Sequence, residues 1–137
     1  MFRVLMIDDE ESLCKMYKLG LEKTGPFEVG FATSGKTGIR MAQKGAPPPD
    51  VILLDVRMPN MNGIEVLKTL KKEYPLSEIP VIMLSGLLDE STKKECNYQY
   101  GEEYIEKPVE LAQLRSRIEA VLRRVGKLQP LPVAAVS

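Results

Sequence analysis

Apolar residues along this chain fall into two rhythms. Val51-Ile52-Leu53-Leu54 and, after Pro80, Val81-Ile82-Met83-Leu84 are unbroken aliphatic runs of strand length. Without polar alternation they read as strands buried on both faces, the central strands of a parallel sheet. Phe2 to Ile7 is a similar aliphatic run and predicts a first buried strand. Phe27, Val29 and Phe31 alternate with Glu28, Gly30 and Ala32, the pattern of a strand with one less buried face, an edge. Tyr104-Ile105 makes a short strand before Lys107-Pro108.

Between these runs the spacing changes to that of helices. From Glu10 onward, Leu13, Met16, Tyr17 and Leu21 recur at helical intervals until Gly25-Pro26 stops them. Ser34-Gly35 opens a short helix through Ile39, Met41 and Ala42, closed by Gly45. A helix from about Gly63 to Tyr74 carries Ile64, Leu67 and Leu70 on one face. Asp89 to Tyr100 reads as a more polar helix ended by Gly101. The last helix has the clearest stripe: Leu111, Leu114, Ile118, Val121, Leu122 and Val125. Strands therefore alternate with helices five times, which predicts an α/β fold, a doubly wound five-stranded parallel sheet with five helices.

The chain of 137 residues is one domain's worth, expected over 1–125, with 126–137 as a flexible C-terminal tail or linker stub. Pro47-Pro48-Pro49 is a stiff connector too short to separate domains. Nineteen basic residues balance nineteen acidic ones, so no global field draws nucleic acid or an anionic membrane. No apolar run approaches a membrane span, and Phe2-Arg3-Val4 does not resemble a signal peptide. Cys14 and Cys96 form no CxxC motif or paired framework and read as reduced thiols of a cytoplasmic protein. The absence of histidine eliminates His-based triads, His–Cys zinc sites and an internal phosphohistidine. Any chemistry must run on carboxylates, hydroxyls, lysine and a hard metal.

The strand ends supply those groups. The first strand runs into Asp8-Asp9, the third into Asp55, the fourth into Ser85 and the fifth into Lys107. In an open parallel sheet the carboxyl ends of the strands share the ligand-binding edge. Three carboxylates in one pocket repel each other unless a cation joins them, and all-oxygen ligation suits Mg²⁺. A hydroxyl and a lysine beside such a metal are parts that hold phosphoryl oxygens. Taken singly, each residue has a plainer reading: Asp55 or Asp9 as a helix cap, Ser85 as a turn residue, Lys107 as a surface charge. Only the ordered set favours a site. Gly30 to Thr37 matches the phosphate-loop pattern letter for letter, but the alternation of Phe27, Val29 and Phe31 carries a strand through Gly30 and leaves too few residues for the loop.

With these motifs in place, residues 2–125 resemble the receiver domain of two-component response regulators. Asp8-Asp9 is similar to the family's acidic pair, and Asp55-Val56-Arg57-Met58-Pro59 with Gly63 to its phosphoacceptor loop. Ser85-Gly86 resembles its hydroxyl position and following small residue; Gly101, Tyr104 and Lys107-Pro108 resemble the glycine, aromatic switch and Lys-Pro of its last strand. Ala32-Thr33-Ser34-Gly35 looks like its second-strand turn. Gly86 stands where the family more often has alanine, and Glu102 where a small residue is usual. Arg57 and Leu87 occupy positions that vary in the family.

The resemblance implies a flavodoxin-like strand order 2-1-3-4-5 and a phosphorylation switch. Asp55 would accept a phosphoryl group from a histidine kinase or phosphotransfer protein. Mg²⁺ would sit between Asp9, Asp55 and the backbone carbonyl of Arg57, with Asp8 acting chiefly through water. Lys107 would pair with a phosphoryl oxygen, and the N–H groups of Val56 and Gly86 would donate to others. Ser85 would move toward the phosphate and Tyr104 would turn into the vacated space. That movement would alter a face formed by the fourth helix, fifth strand and fifth helix, where a downstream partner or a second copy docks. The same resemblance implies a cis peptide at Lys107-Pro108. It implies no nucleic-acid binding by this domain, and self-catalysed phosphoryl acceptance and loss rather than metabolic turnover. It leaves open a stand-alone receiver or the receiver of a longer chain. Two other readings compete. One is a pseudo-receiver that docks without phosphorylation, against which the complete set of site residues argues. The other is a Mg²⁺-dependent phosphohydrolase with an aspartyl-phosphate intermediate, which needs an acid where this chain has Arg57.

Overall fold

The protein is described here in a computed structural model that covers residues 1–86, 94 and 103–131. Five parallel strands, β1 (Phe2–Ile7), β2 (Phe27–Ala32), β3 (Val51–Asp55), β4 (Val81–Ser85) and β5 (Glu103–Glu106), form one sheet in the order β2-β1-β3-β4-β5. Helices α1 (Glu11–Thr24), α2 (Gly35–Lys44) and α3 (Gly63–Leu70), with a C-terminal helix (Leu111–Arg124), are α-helical. The expected helix from Asp89 to Tyr100 and its stop at Gly101 lie outside the described residues, apart from Lys94, which is helical.

The aliphatic runs behave as their lack of alternation requires. Every residue of β3 and β4 is buried, and side chains leave alternately to two apolar layers. Val4, Met6, Leu53, Ile82 and Leu84 pack with Leu21 of α1 and Leu114, Ile118 and Leu122 of the C-terminal helix. Leu5, Ile7, Ile52, Leu54 and Met83 pack against Ala42 of α2 and Val66, Leu67 and Leu70 of α3. The alternating strand β2 is an edge, as its pattern predicts.

Several details differ from the sequence reading. The buried face of α2 is Gly35, Gly38 and Ala42, while Met41 is exposed. This helix lies so close to β1 that a methyl group on Gly38 would fall 2.5 Å from Ile7 Cδ1, so small residues line its inner face. Helix α3 ends at Leu70, short of Tyr74, and Lys71 folds back to donate to the carbonyls of Ser77 (3.3 Å) and Ile79 (3.0 Å). Beyond residue 125, the Lys127 N–H donates to Leu122 O at 2.8 Å and Leu128 packs on the core. Lys127 Nζ also reaches Asp50 Oδ1 at 2.7 Å.

Among the described residues no helix is long and apolar enough to cross a membrane. The Lys107–Pro108 peptide is cis, as are Ala46–Pro47 and Tyr74–Pro75, which nothing in the sequence reading singled out.

Candidate functional site

Register decides which side chains meet. Ile7 pairs with Leu54, so Asp8 and Asp55, the next residues, emerge side by side. Asp55 pairs with Leu84, which places Ser85 one step further along the same edge. Ser85 pairs with Glu106, and Lys107 follows, its N–H donating to the Ser85 carbonyl at 2.6 Å. Groups scattered over a hundred positions of sequence therefore share one end of the sheet, the end at which open α/β sheets bind ligands.

Oxygens of Asp8, Asp9 and Asp55 lie within 4.8 Å of one another. Asp8 is fully buried and Asp55 nearly so, whereas Asp9 is exposed. Lys107 stretches its ammonium between the two buried carboxylates, 2.8 Å from Asp8 Oδ2 and 3.2 Å from Asp55 Oδ1. The other Asp8 oxygen accepts from the N–H of Glu10 at 3.0 Å. Three carboxylates against one ammonium leave the cluster two negative charges in excess when ionised. Burial, then the Asp8 charge, push the Asp55 carboxyl up to about 6, with Lys107 opposing and Asp9 adding to the rise. Burial works against the Lys107 ammonium, but the hydrogen bond to Asp8 and the charges of Asp55 and Asp8 outweigh it and raise its pKa. Hard oxygen donors that converge with excess negative charge fit a small divalent cation.

The loop after Asp55 is shaped by its own backbone. Asn60 takes a left-handed conformation (φ 69°), and the Met61 N–H donates to Pro59 O at 2.7 Å. Gly63 then packs its Cα on the strand end, its N–H donating to Val56 O at 2.7 Å. A methyl group there would fall 2.3 Å from the Asp55 carbonyl oxygen, so only glycine permits this approach. Asn62 caps α3 by accepting from Glu65 N at 3.0 Å.

Most of the expected site residues converge. Asp8, Asp9, Asp55 and Lys107 form one cluster, and Ser85 lies buried at the adjoining strand end. Arg57 is exposed two residues beyond Asp55. Gly86 is exposed, with open space where a side chain would project. Tyr104, in β5 one step before Ile105, is half-buried against the α2–α3 layer. Val56 departs from expectation: its N–H donates to Leu84 O at 3.0 Å, because the β3–β4 ladder runs one residue past Asp55. In this structure that N–H belongs to the sheet. Leu87, Gly101 and Glu102 lie outside the described residues.

The phosphate-loop match dissolves in the fold. Gly30, Phe31 and Ala32 are strand, and Ser34 caps α2 by accepting from Thr37 N at 3.3 Å, which leaves no loop to surround a phosphate.

Sequence reading did not find the polar atoms of α1 that face the cluster. Cys14 Sγ donates to Asp8 O at 3.4 Å, and Tyr17 Oη donates to Val109 O at 2.5 Å. In the sequence Tyr17 falls on the apolar stripe of a helix and Cys14 reads only as a reduced thiol, and only the fold brings their partners to them.

Comparison with known proteins gives a consistent result. The family model of the response regulator receiver domain matches residues 4–119. A probable transcriptional regulatory protein of Picosynechococcus sp. is 34% identical over 140 residues, covering 98% of this chain and 54% of the relative. The alkaline phosphatase synthesis transcriptional regulatory protein PhoP of Bacillus subtilis is 33% identical over 123 residues, covering 89% of this chain and 49% of that protein. The chain thus spans about half the length of these curated relatives. Among solved structures, the chemotaxis protein CheY4 of Vibrio cholerae superimposes with a TM-score of 0.80 at 30% identity, over 89% of this chain and 99% of that one.

Proposed function

The chain belongs to the response regulator receiver domain family, and from that premise we propose that it is a phosphorylation switch with Asp55 as phosphoacceptor. The observation that carries this reading is the placement of the Asp55 carboxylate at the end of β3. It sits within 4.8 Å of the Asp8 and Asp9 carboxylates and 3.2 Å from the Lys107 ammonium.

In the proposed step an Asp55 carboxylate oxygen attacks phosphorus of a phosphohistidine on a histidine kinase or phosphotransfer protein. The P–O bond forms as the P–N bond breaks, the imidazole leaves with the electron pair, and Asp55 becomes an acyl phosphate. Asp9, Asp55 and the Arg57 carbonyl would hold Mg²⁺, with Asp8 beside them, and the ion supplies neutralisation of the entering phosphoryl oxygens. Lys107 exchanges its contact with Asp55 for one with a phosphoryl oxygen and remains paired with Asp8. Ser85, one strand over, and the N–H of Gly86 donate to the remaining oxygens.

Movement of Ser85 toward the phosphate frees space beside half-buried Tyr104, whose rotation would change the face that includes β5 and the C-terminal helix. Receiver domains act between histidine kinases and downstream effectors, and this face is where an effector is expected. The chain is a binding switch with a self-catalysed half-reaction rather than a metabolic enzyme. Intact mass after incubation with acetyl phosphate and Mg²⁺ tests the reading. One magnesium-dependent phosphoryl adduct on the wild type and none on Asp55→Asn is expected. An unchanged adduct on Asp55→Asn would overturn the assignment.

A further inference from the structure

The inner face of α1 buries Cys14, Tyr17 and Leu21. Two of these three side chains carry a polar atom, and both polar atoms hold backbone beside the Asp8–Lys107 pair. The Cys14 thiol donates to the carbonyl of Asp8 itself, at 3.4 Å. One turn further on, the Tyr17 hydroxyl donates to the carbonyl of Val109, at 2.5 Å and across 92 residues of sequence. Val109 follows Lys107 by two residues and is buried, and Lys107 N is tied to Ser85 O at 2.6 Å. The segment that carries Lys107 is therefore pinned by β4 at one end and by α1 at the other. A leucine at position 17 would fill much of the same apolar space and leave a buried carbonyl without its donor, which is costly. The phenol also lies close enough to the site to feel it: burial raises its pKa, the Lys107 charge draws it down and the Asp8 charge pushes it up.

We propose that Tyr17 is a positioning residue for Lys107: its bond to Val109 holds the segment that aims the ammonium between Asp8 and Asp55. Through that segment α1 sets how Lys107 meets an incoming anion. The consequence for phosphoryl transfer rests on the function proposed above; the positioning itself does not.

Competitive trace acetylation of the folded chain, read lysine by lysine by mass spectrometry, tests it without any phosphoryl donor. Lys15, exposed on α1, serves as the reference, and Lys71, held by the Ser77 and Ile79 carbonyls in another part of the fold, reports general loosening. Tyr17→Phe keeps the ring and removes the donor. The expected result is a rise in Lys107 reactivity of about two- to tenfold relative to Lys15, the range of one net hydrogen bond, with Lys71 unchanged. No rise at Lys107, or an equal rise at Lys71, overturns the proposal. Acetyl phosphate labelling supplies the second arm. Tyr17→Phe is expected to slow labelling in the wild-type background and to have no further effect with Lys107→Ala; equal slowing in both backgrounds also overturns it. Absence of any adduct on the wild type would count against the phosphorylation reading, and the acetylation result would still decide the role of Tyr17.

Discussion

Lys107 and Asp8 form an ion pair across 99 positions of sequence, with Nζ 2.8 Å from Oδ2 and the carboxylate wholly out of solvent. The pair stands before any phosphate arrives, so Lys107 has a resting role as well as a chemical one. Removing it leaves a buried carboxylate whose remaining partner is the N–H of Glu10. Lys107→Ala is expected to destabilise the fold by about 2–4 kcal/mol, below the full cost of breaking a buried pair because the lysine is partly exposed. Adding Asp8→Asn should recover part of that loss. Urea denaturation of the two single variants and the double variant measures it, and strictly additive losses would show that the pair contributes no coupling.

The second expectation concerns pH in metal-free buffer. The Asp55 carboxyl is raised from its ordinary 3.8 to about 6, chiefly by burial and then by Asp8. A raised carboxyl pKa means that the folded state holds the proton more tightly than the unfolded chain does. The resulting stabilisation is complete below the unfolded value and is lost as pH rises through 6. Between pH 5 and 7.5 the wild type should therefore lose stability that Asp55→Asn retains, a difference of about 1–3 kcal/mol. Denaturation in EDTA at the two pH values compares them. Mg²⁺ should narrow the gap at the higher pH, since a cation favours the ionised carboxylate. A gap of opposite sign would mean that Lys107, not burial, dominates at Asp55.

Two glycines beside the site should respond differently to alanine. At Gly63 the added methyl meets backbone, 2.3 Å from the Asp55 carbonyl oxygen and 2.8 Å from Val56 Cα, and neither atom can step aside without moving the strand end. Gly63→Ala is expected to cost about 1–3 kcal/mol and to slow phosphoryl acceptance beyond what its loss of stability explains. At Gly86 nothing lies within 4 Å, so Gly86→Ala should leave stability within about 0.5 kcal/mol. Thermal melts together with labelling rates distinguish the two positions.

How much of this was legible beforehand follows from where each signal lives. The all-apolar β3 and β4 and the acidic, hydroxyl and lysine residues at successive strand ends are local features, and register alone brings Asp8, Asp55, Ser85 and Lys107 together. The inner face of α2 was not legible: Gly35 and Gly38 are buried because the helix approaches β1 closely, and hydropathy gives glycine no voice. Tyr17 reads as one more apolar position until Val109 arrives at its hydroxyl from the far end of the chain. The resemblance assigns the N–H of Val56 to an anion, and no local signal speaks against it, because a strand's last ladder bond depends on its neighbour, here Leu84 O.

The remaining prediction concerns the open edge of the sheet. Ala32 and Pro26 turn their carbonyls to β1, accepting from Asp8 N and Phe2 N, so the alternate residues Phe27, Val29 and Phe31 present their backbone outward. An edge of this kind invites pairing with a second copy. Here α1 closes it at Val29: Glu22 Oε2 accepts from the Val29 N–H at 2.9 Å, and Lys18 Nζ donates to the Val29 carbonyl at 2.6 Å. The two side chains also pair with each other at 2.8 Å. Phe27 N is occupied by Gly25 O at 2.9 Å. The Lys18→Ala, Glu22→Ala double variant exposes a complete backbone pair in mid-strand. It is expected to self-associate reversibly with rising concentration in sedimentation equilibrium, under conditions where the wild type shows less association. Lys15→Ala with Glu11→Ala removes another ion pair of α1 without touching β2 and should behave as the wild type does. Equal association of both double variants would show that lost surface charge, not the opened edge, drives it.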